Sequence, residues 1–184
     1  METRSEFAIV EGMSRKLNAV AKWTEKDGVI YFTVVSNAIT GKEWIKHFET
    51  KEVTIGDYAK ELLLSNHFKS AKKGTIHNIA VIKGEFFSDE NRTTRRIRAE
   101  ADRRKMKTPP PEVACLIRDL FTNEEIKAIG LFWIVTMHEP IEESGGDSVL
   151  LGANRYATRP WLYGYGGRPG NGWDREVGFA FVSP

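Results

Sequence analysis

The chain has 184 residues, a formal net charge of +2, 41% hydrophobic residues, and ten Phe, five Trp and five Tyr. That is enough apolar material for the core of one domain; the composition excludes an intrinsically disordered chain, and no apolar run is long enough to span a bilayer. The single cysteine, Cys115, excludes an internal disulfide, and with no signal-like start the reducing cytoplasm is the expected compartment.

Residues 7–10, Phe-Ala-Ile-Val, make a candidate short strand. Leu17, Ala19, Ala21 and Trp23 alternate with Lys16, Asn18 and Lys22, which predicts a strand over residues 17–23. It pairs with residues 29–35, because Asp27-Gly28 between them is a hairpin-turn signal. Thr40 and Glu43 have the spacing of a capping box, opening a helix whose apolar face is Trp44, Ile45 and Phe48. Thr54 and Asp57 mark a second helix start, with Tyr58, Ala59, Leu62 and Leu63 as its buried stripe. Residues 76–82 are rich in β-branched side chains and read as a strand closed by Gly84. Ser88 then caps a nearly all-polar helix over residues 89–106, which belongs on the surface with Ile97, Ala99, Ala101 and Met106 as its apolar contacts.

The stretch 111–140 organises the rest. Pro109 and Pro110 lead into Pro111, which suits a first helical position. Val113, Leu116, Ile117 and Leu120 give the stripe of that helix, and Cys115 lies on its apolar side as a small buried hydrophobe rather than a nucleophile. Thr122 and Glu125 form another capping box, and Gly130 fits the left-handed end of the short helix it opens. Residues 131–135, Leu-Phe-Trp-Ile-Val, are too uniformly apolar for a half-exposed strand and predict a central one, although a helix continuing through Gly130 is the rival. His138-Glu139-Pro140 ends it. Beyond residue 142, Gly, Arg, Tyr and Trp dominate, with strands over residues 149–151, 161–165 and 177–182 forming a C-terminal β-meander. The expected fold is α+β: a single domain over residues 1–184, with an N-terminal hairpin and a central buried strand covered by several helices. Region 142–184 is an optional subdomain. Val113, Leu116, Leu120, Phe132, Ile134, Ile79, Val81, Leu62 and Trp44 are its expected core.

The segments TGKEWI (40–45), DYAKELL (57–63), IAVIKGEFFSDENRTTRRIRAEADRRKM (79–106) and EVACLIRDLFTNEEIKAIGLFWIVTMHEPI (112–141) resemble a family of short, uncharacterised bacterial proteins. The resemblance implies a small soluble bacterial protein and carries no activity or site residue with it. The ending GFAFV (178–182) is similar in outline to the last strands of C-type-lectin-like domains, an analogy of fold alone.

Three candidate sites follow. Residues 92–107 carry net charge +6, leaving 19 basic against 23 acidic residues elsewhere. Arg92, Arg96, Arg103 and Lys107, with Arg95 and Arg98 close by, are the residues that would contact nucleic-acid phosphates; a solvated helix whose Glu100 and Asp102 pair with arginine is the stronger alternative. Trp161, Tyr163, Tyr165, Arg168, Trp173 and Arg175 combine aromatic faces with guanidinium groups, which suits a small polar ligand such as a sugar, a base or a partner protein. Core packing of a glycine-rich sheet is the competing account. His138 and Glu139 at a strand end, approached by His77, have the chemistry of an acid–base pair. No HExxH, GxSxG or phosphate-binding glycine loop accompanies them, and nothing calls for a metal or cofactor. A non-enzymatic binding or interaction domain using the C-terminal aromatic and arginine surface is therefore expected, with two or more of the four rings exposed.

Overall fold

The computed structural model describes residues 21–156 and 159–184. The candidate strand at 7–10 and residues 17–20 of the first hairpin strand lie outside them. The described chain runs β1 (Thr24–Lys26), β2 (Val29–Val35), α1 (Gly41–Thr50), β3 (Thr54–Ile55), α2 (Asp57–Leu64), β4 (Ile76–Lys83), α3 (Thr94–Arg103), α4 (Glu112–Leu120), α5 (Asn123–Ala128), β5 (Trp133–Thr136), β6 (Ile141–Glu142), β7 (Ser148–Asn154), β8 (Trp161–Gly166) and β9 (Val177–Val182). The fold is α+β: all nine strands share one sheet, ordered β1-β2-β4-β9-β5-β7-β8-β3 with β6 beside β7.

Local signals explain the framework. Asp27 (φ 52°) and Gly28 (φ 72°) both occupy the left-handed region, and Lys26 faces Val29 across a two-residue turn. That is the geometry whose twist matches flanking strands. The partner of β2 is Thr24–Lys26, however, and residues 21–23 are not in the ladder. The two-residue turn places residue 26 opposite 29, so pairing begins at once rather than further upstream. Both capping boxes close as the spacing requires, Thr40 with Glu43 and Thr122 with Glu125. Gly130 (φ +85°) ends α5. Thr54, an expected helix cap, instead sits in β3, and Gly56 precedes α2 without a side-chain cap.

The polar helix begins later than expected. Asp89–Asn91 is a short 3-10 turn, and the α-helix starts at Thr94. Thr93 forms a bridge with Gly172, and the Thr94 and Arg95 amides donate to the Asn171 and Pro169 carbonyls. The amides that would continue a helix from Ser88 are thus engaged by the chain across from them.

The helices cover both faces of the sheet. On one face α1, α2, α4 and α5 bury Trp44, Phe48, Leu62, Val113, Ile117 and Ile126 against Ile79, Val81, Ile134 and Leu151. On the other, Ile97 and Ala101 of α3 pack with Ile82, Val135, Phe179, Phe181 and Trp173. β5 is central, between β9 and β7, although it begins at Trp133 and leaves Leu131 and Phe132 in the lead-in. Two expected core residues, Leu120 and Phe132, are only half-buried; the Arg155 guanidinium lies 4.5 Å over the Phe132 ring. β7 and β8 pair antiparallel as in a meander, but β9 leaves that order and enters between β4 and β5, parallel to β5.

Ile134 is 1% exposed, so Ile134→Ala should cost roughly 2–5 kcal/mol from lost burial and the cavity left behind. Urea unfolding checks this; an unchanged midpoint would contradict its place at the sheet centre.

Candidate functional site

β8 sets the geometry. Alternation puts Trp161, Tyr163 and Tyr165 on one face, while Leu162 and Gly164 face α2. A Cβ at Gly164 would meet Tyr58 Cβ and Val149 Cγ1 at 2.9 Å, so the glycine lets the first turn of α2 lie against the strand. β3 covers only Trp161 and Leu162 on the outer edge of β8. Beyond that edge two cavities open on either side of Tyr58 and Gly164. One, about 380 Å³, is walled by Tyr58, Trp161 and Tyr163, with Thr54 and Asp57 supplying polar groups. The other, about 290 Å³, is lined by Tyr58 and Tyr165 with Asp147, Ser148, Arg168 and Asn171.

The rings form a tilted series rather than a flat platform. Trp161 and Tyr163 have centroids 6.2 Å apart at 65°, and Tyr163 and Tyr165 are 5.2 Å apart at 59°. Of the four rings of the expected patch, only Tyr163 is exposed, at 39%. Trp161 is half-buried. Tyr165 stacks on Trp133 at 5.0 Å and 26°, its hydroxyl accepts from Asn154 Nδ2 at 2.9 Å, and burial pushes its pKa up. Trp173 is buried, and its indole N–H donates to Thr94 Oγ1 at 2.9 Å. Arg168 pairs with Asp147 and belongs to the cleft. Arg175 is 3.9 Å from Glu85, which adjoins the end of β4, and lines neither cavity. The expectation of two well-exposed rings beside an arginine is corrected: Tyr165 and Trp173 are packing residues, because a wide sheet face needs large side chains to fill it.

The second well-exposed ring of the cleft is one the sequence pattern assigned to the core. Tyr58 is 52% exposed. It shares the helical stripe of Leu62 but lies one turn earlier, past the rim of the sheet. The glycines at 56 and 164 were the available signal. A Cβ at Gly56 would sit 2.8 Å from the Tyr163 ring, so both glycines mark where α2 closes on β8.

The basic segment does not present one charged face. The Arg92 guanidinium is buried and donates to the Gly84, Phe87 and Trp173 carbonyls and to Asp89. Arg98 donates to the Met137 and His138 carbonyls. Arg103 grips Glu100 with two bonds, 2.8 and 2.7 Å, and Arg104 adds a third at 2.6 Å. These bonds hold the Glu100 carboxyl down at about 2. Arg96 and Lys107 remain exposed.

His138 is fully enclosed. Its Nδ1–H donates to the Glu139 carbonyl at 2.6 Å, and its Nε2 accepts the Leu151 amide at 2.9 Å. Both nitrogens are committed, and burial lowers the ring pKa to about 4. His77 faces the buried Glu112 carboxylate at 3.5 Å instead of His138, and Glu139 is exposed. The acid–base pair expected at this strand end is therefore not assembled. Cys115 is buried, its thiol pKa raised by burial, as a small hydrophobe requires. Among the described residues no three His, Cys, Asp or Glu side chains converge as metal ligands, and no helix is long and apolar enough to cross a membrane.

No family model, curated protein or solved structure matches the chain. The lectin-like outline of residues 178–182 thus has no structural counterpart to support it.

Two outcomes follow. The folded His138 pKa lies below the ordinary 6.5, so the unfolded chain takes up a proton the folded one refuses as pH falls from 6.5 to about 4. Stability is lost across that window and the loss levels off below it, by about 3 kcal/mol at most. Urea midpoints of wild type and His138→Gln should separate across the window, and parallel pH profiles would contradict the enclosure. Separately, Arg92→Ala should lower the melting temperature by several degrees, because three carbonyls lose a charged donor, whereas Arg96→Ala leaves it unchanged; calorimetry distinguishes them.

Proposed function

We propose that this chain is a non-enzymatic binding domain whose site is the divided cleft along the outer edge of β8. The observation that carries the reading is the pair of exposed rings, Tyr58 and Tyr163, facing the 380 Å³ cavity with Asp57 and Thr54 beside them. A volume of that size lies within the range of roughly 300–1,000 Å³ that small-ligand sites occupy. Rings with a few convergent polar groups give contact area and orientation together. The enclosure of His138 and Cys115 supports binding over catalysis, since a reacting group must reach its substrate. Arg168, held by Asp147 at the far end, is a directional donor for a ligand that extends into the second lobe.

The test is amide-resolved NMR of the ¹⁵N-labelled protein against a mixed library of small polar aromatic, nucleoside and sugar fragments. Saturable shifts should cluster at residues 54–58, 161–166 and 147–148, and Tyr163→Ala should remove them. Shifts absent from those segments, or equal in the variant, would overturn the assignment.

A further inference from the structure

We infer that the ligand of this cleft is an uncharged oligosaccharide, with one sugar ring in each lobe; this rests on the binding reading above and names its substrate class. Three properties of the lining lead there. The first is charge: Asp57 and Asp147 against Arg168 leave the two lobes with a net −1. A phosphate-bearing ligand would meet two carboxylates and one guanidinium already neutralised by Asp147, so nucleotides and nucleic acid are disfavoured. The second is polarity: carboxylates accept only, the guanidinium donates only, and Asn171, Ser148 and Thr54 do both. Such a mixed set matches vicinal hydroxyls, each of which donates one hydrogen bond and accepts others. It matches a purely apolar or singly charged group poorly, because several lining groups would then lose water without gaining a partner.

The third is the arrangement of rings. Pyranose rings present patches of C–H that lie well on aromatic faces. The rings here are inclined by 65° and 59° to their neighbours, so no two coplanar platforms exist for a flat polymer surface. Instead, Tyr58, Trp161 and Tyr163 all line one lobe, which fits a single sugar ring held among them. Tyr58 and Gly164 are common to both lobes. The smaller lobe, about 290 Å³, takes the second ring with Arg168 and Asn171 as its polar partners.

The experiment is a glycan array probed with the full chain, followed by NMR titration of any neutral oligosaccharide retained, beside a nucleoside and an aromatic dipeptide as comparison probes. Retention of neutral glycans sharing one disaccharide unit, with binding unchanged between low and high salt, is the expected result. Tyr163→Ala should weaken it about tenfold or more while Tyr163→Phe keeps it, since stacking needs the ring and not the hydroxyl. Asp57→Asn, at an exposed position that the sheet does not use, should weaken sugar binding without changing the melting temperature. Shifts at the cleft from the nucleoside or the dipeptide, with no neutral glycan retained, would overturn the saccharide inference and leave the binding reading standing. Retention only of acidic glycans, abolished by salt, would do the same. No perturbation of the cleft by any probe would overturn both.

Discussion

The sheet depends on the insertion of β9 between β4 and β5. β9 is hydrogen-bonded antiparallel to β4 and parallel to β5, and it is the only link between the β1-β2-β4 group and the β5-β7-β8-β3 group among the described strands. Its residues serve both cores: Phe179 and Phe181 pack on the α3 side, and Ala180 on the other. Gly178 is fixed by the same constraint, because a Cβ there would lie 2.6 Å from both Leu131 Cδ1 and Val81 Cγ1. Leu131 is the residue with which α5 hands over to the strand region. The last strand in the chain therefore determines how the middle of the sequence packs, and neither half of the sheet is completed until it arrives.

A second theme is the use of arginine. Arg92, Arg98, Arg118 and Arg155 all donate to backbone carbonyls where elements end: Gly84, Phe87 and Trp173; Met137 and His138; Asn154 and Phe121; and Leu131. A guanidinium carries five donors in a fixed fork, so one side chain satisfies several carbonyls that a turn leaves unpaired. Burial lowers the Arg118 pKa to about 10, still far above neutrality. The donors of these four side chains are turned inward. Within the segment of net charge +6, Arg92 and Arg98 face the protein and Glu100 holds Arg103 and Arg104, while Arg95, Arg96, Lys105 and Lys107 stay exposed.

What the sequence revealed and what it hid divide along the range of the interaction. The capping boxes at Thr40 and Thr122, the Asp27-Gly28 turn, the left-handed Gly130 and the buried run into β5 are set by residues within a few positions of one another, and all are legible as patterns. The place of β9 is not, since a buried strand reads the same whichever neighbours it has. The late start of α3 is hidden for the same reason: it depends on residues 169–173, some 75 positions away in sequence. At the site, alternation correctly puts Trp161, Tyr163 and Tyr165 on one face. It cannot say which of them another element covers. Trp133, arriving from β5, buries Tyr165, and Thr94 on α3 captures Trp173. Tyr58 was misassigned because a helical stripe shows which side faces inward and not where the sheet beneath it stops.

The β8 side of the sheet differs in character from the opposite edge. An edge strand whose only task is to remain solvated usually carries charge, proline or a bulge, because open backbone and apolar side chains invite unwanted pairing. The opposite edge fits that pattern: β1 is short and reads Thr-Glu-Lys, all exposed, with Glu25 reaching Lys83 at 2.8 Å. Beyond the short cover of β3, β8 breaks it, with the Tyr163 ring and glycines at 164 and 166, and Tyr58 of α2 beside them. The glycines are not there to loosen the strand. Those at 56 and 164 are filled by Tyr163 and by Tyr58 with Val149, so each trades a side chain for close approach of a ring. Exposed aromatic area and glycine-rich backbone both cost stability in an isolated fold. Packing explains Tyr165 and Trp173, which are satisfied from within. It does not explain Tyr58 and Tyr163, which remain exposed beside Asp57, and the binding role proposed above would account for them.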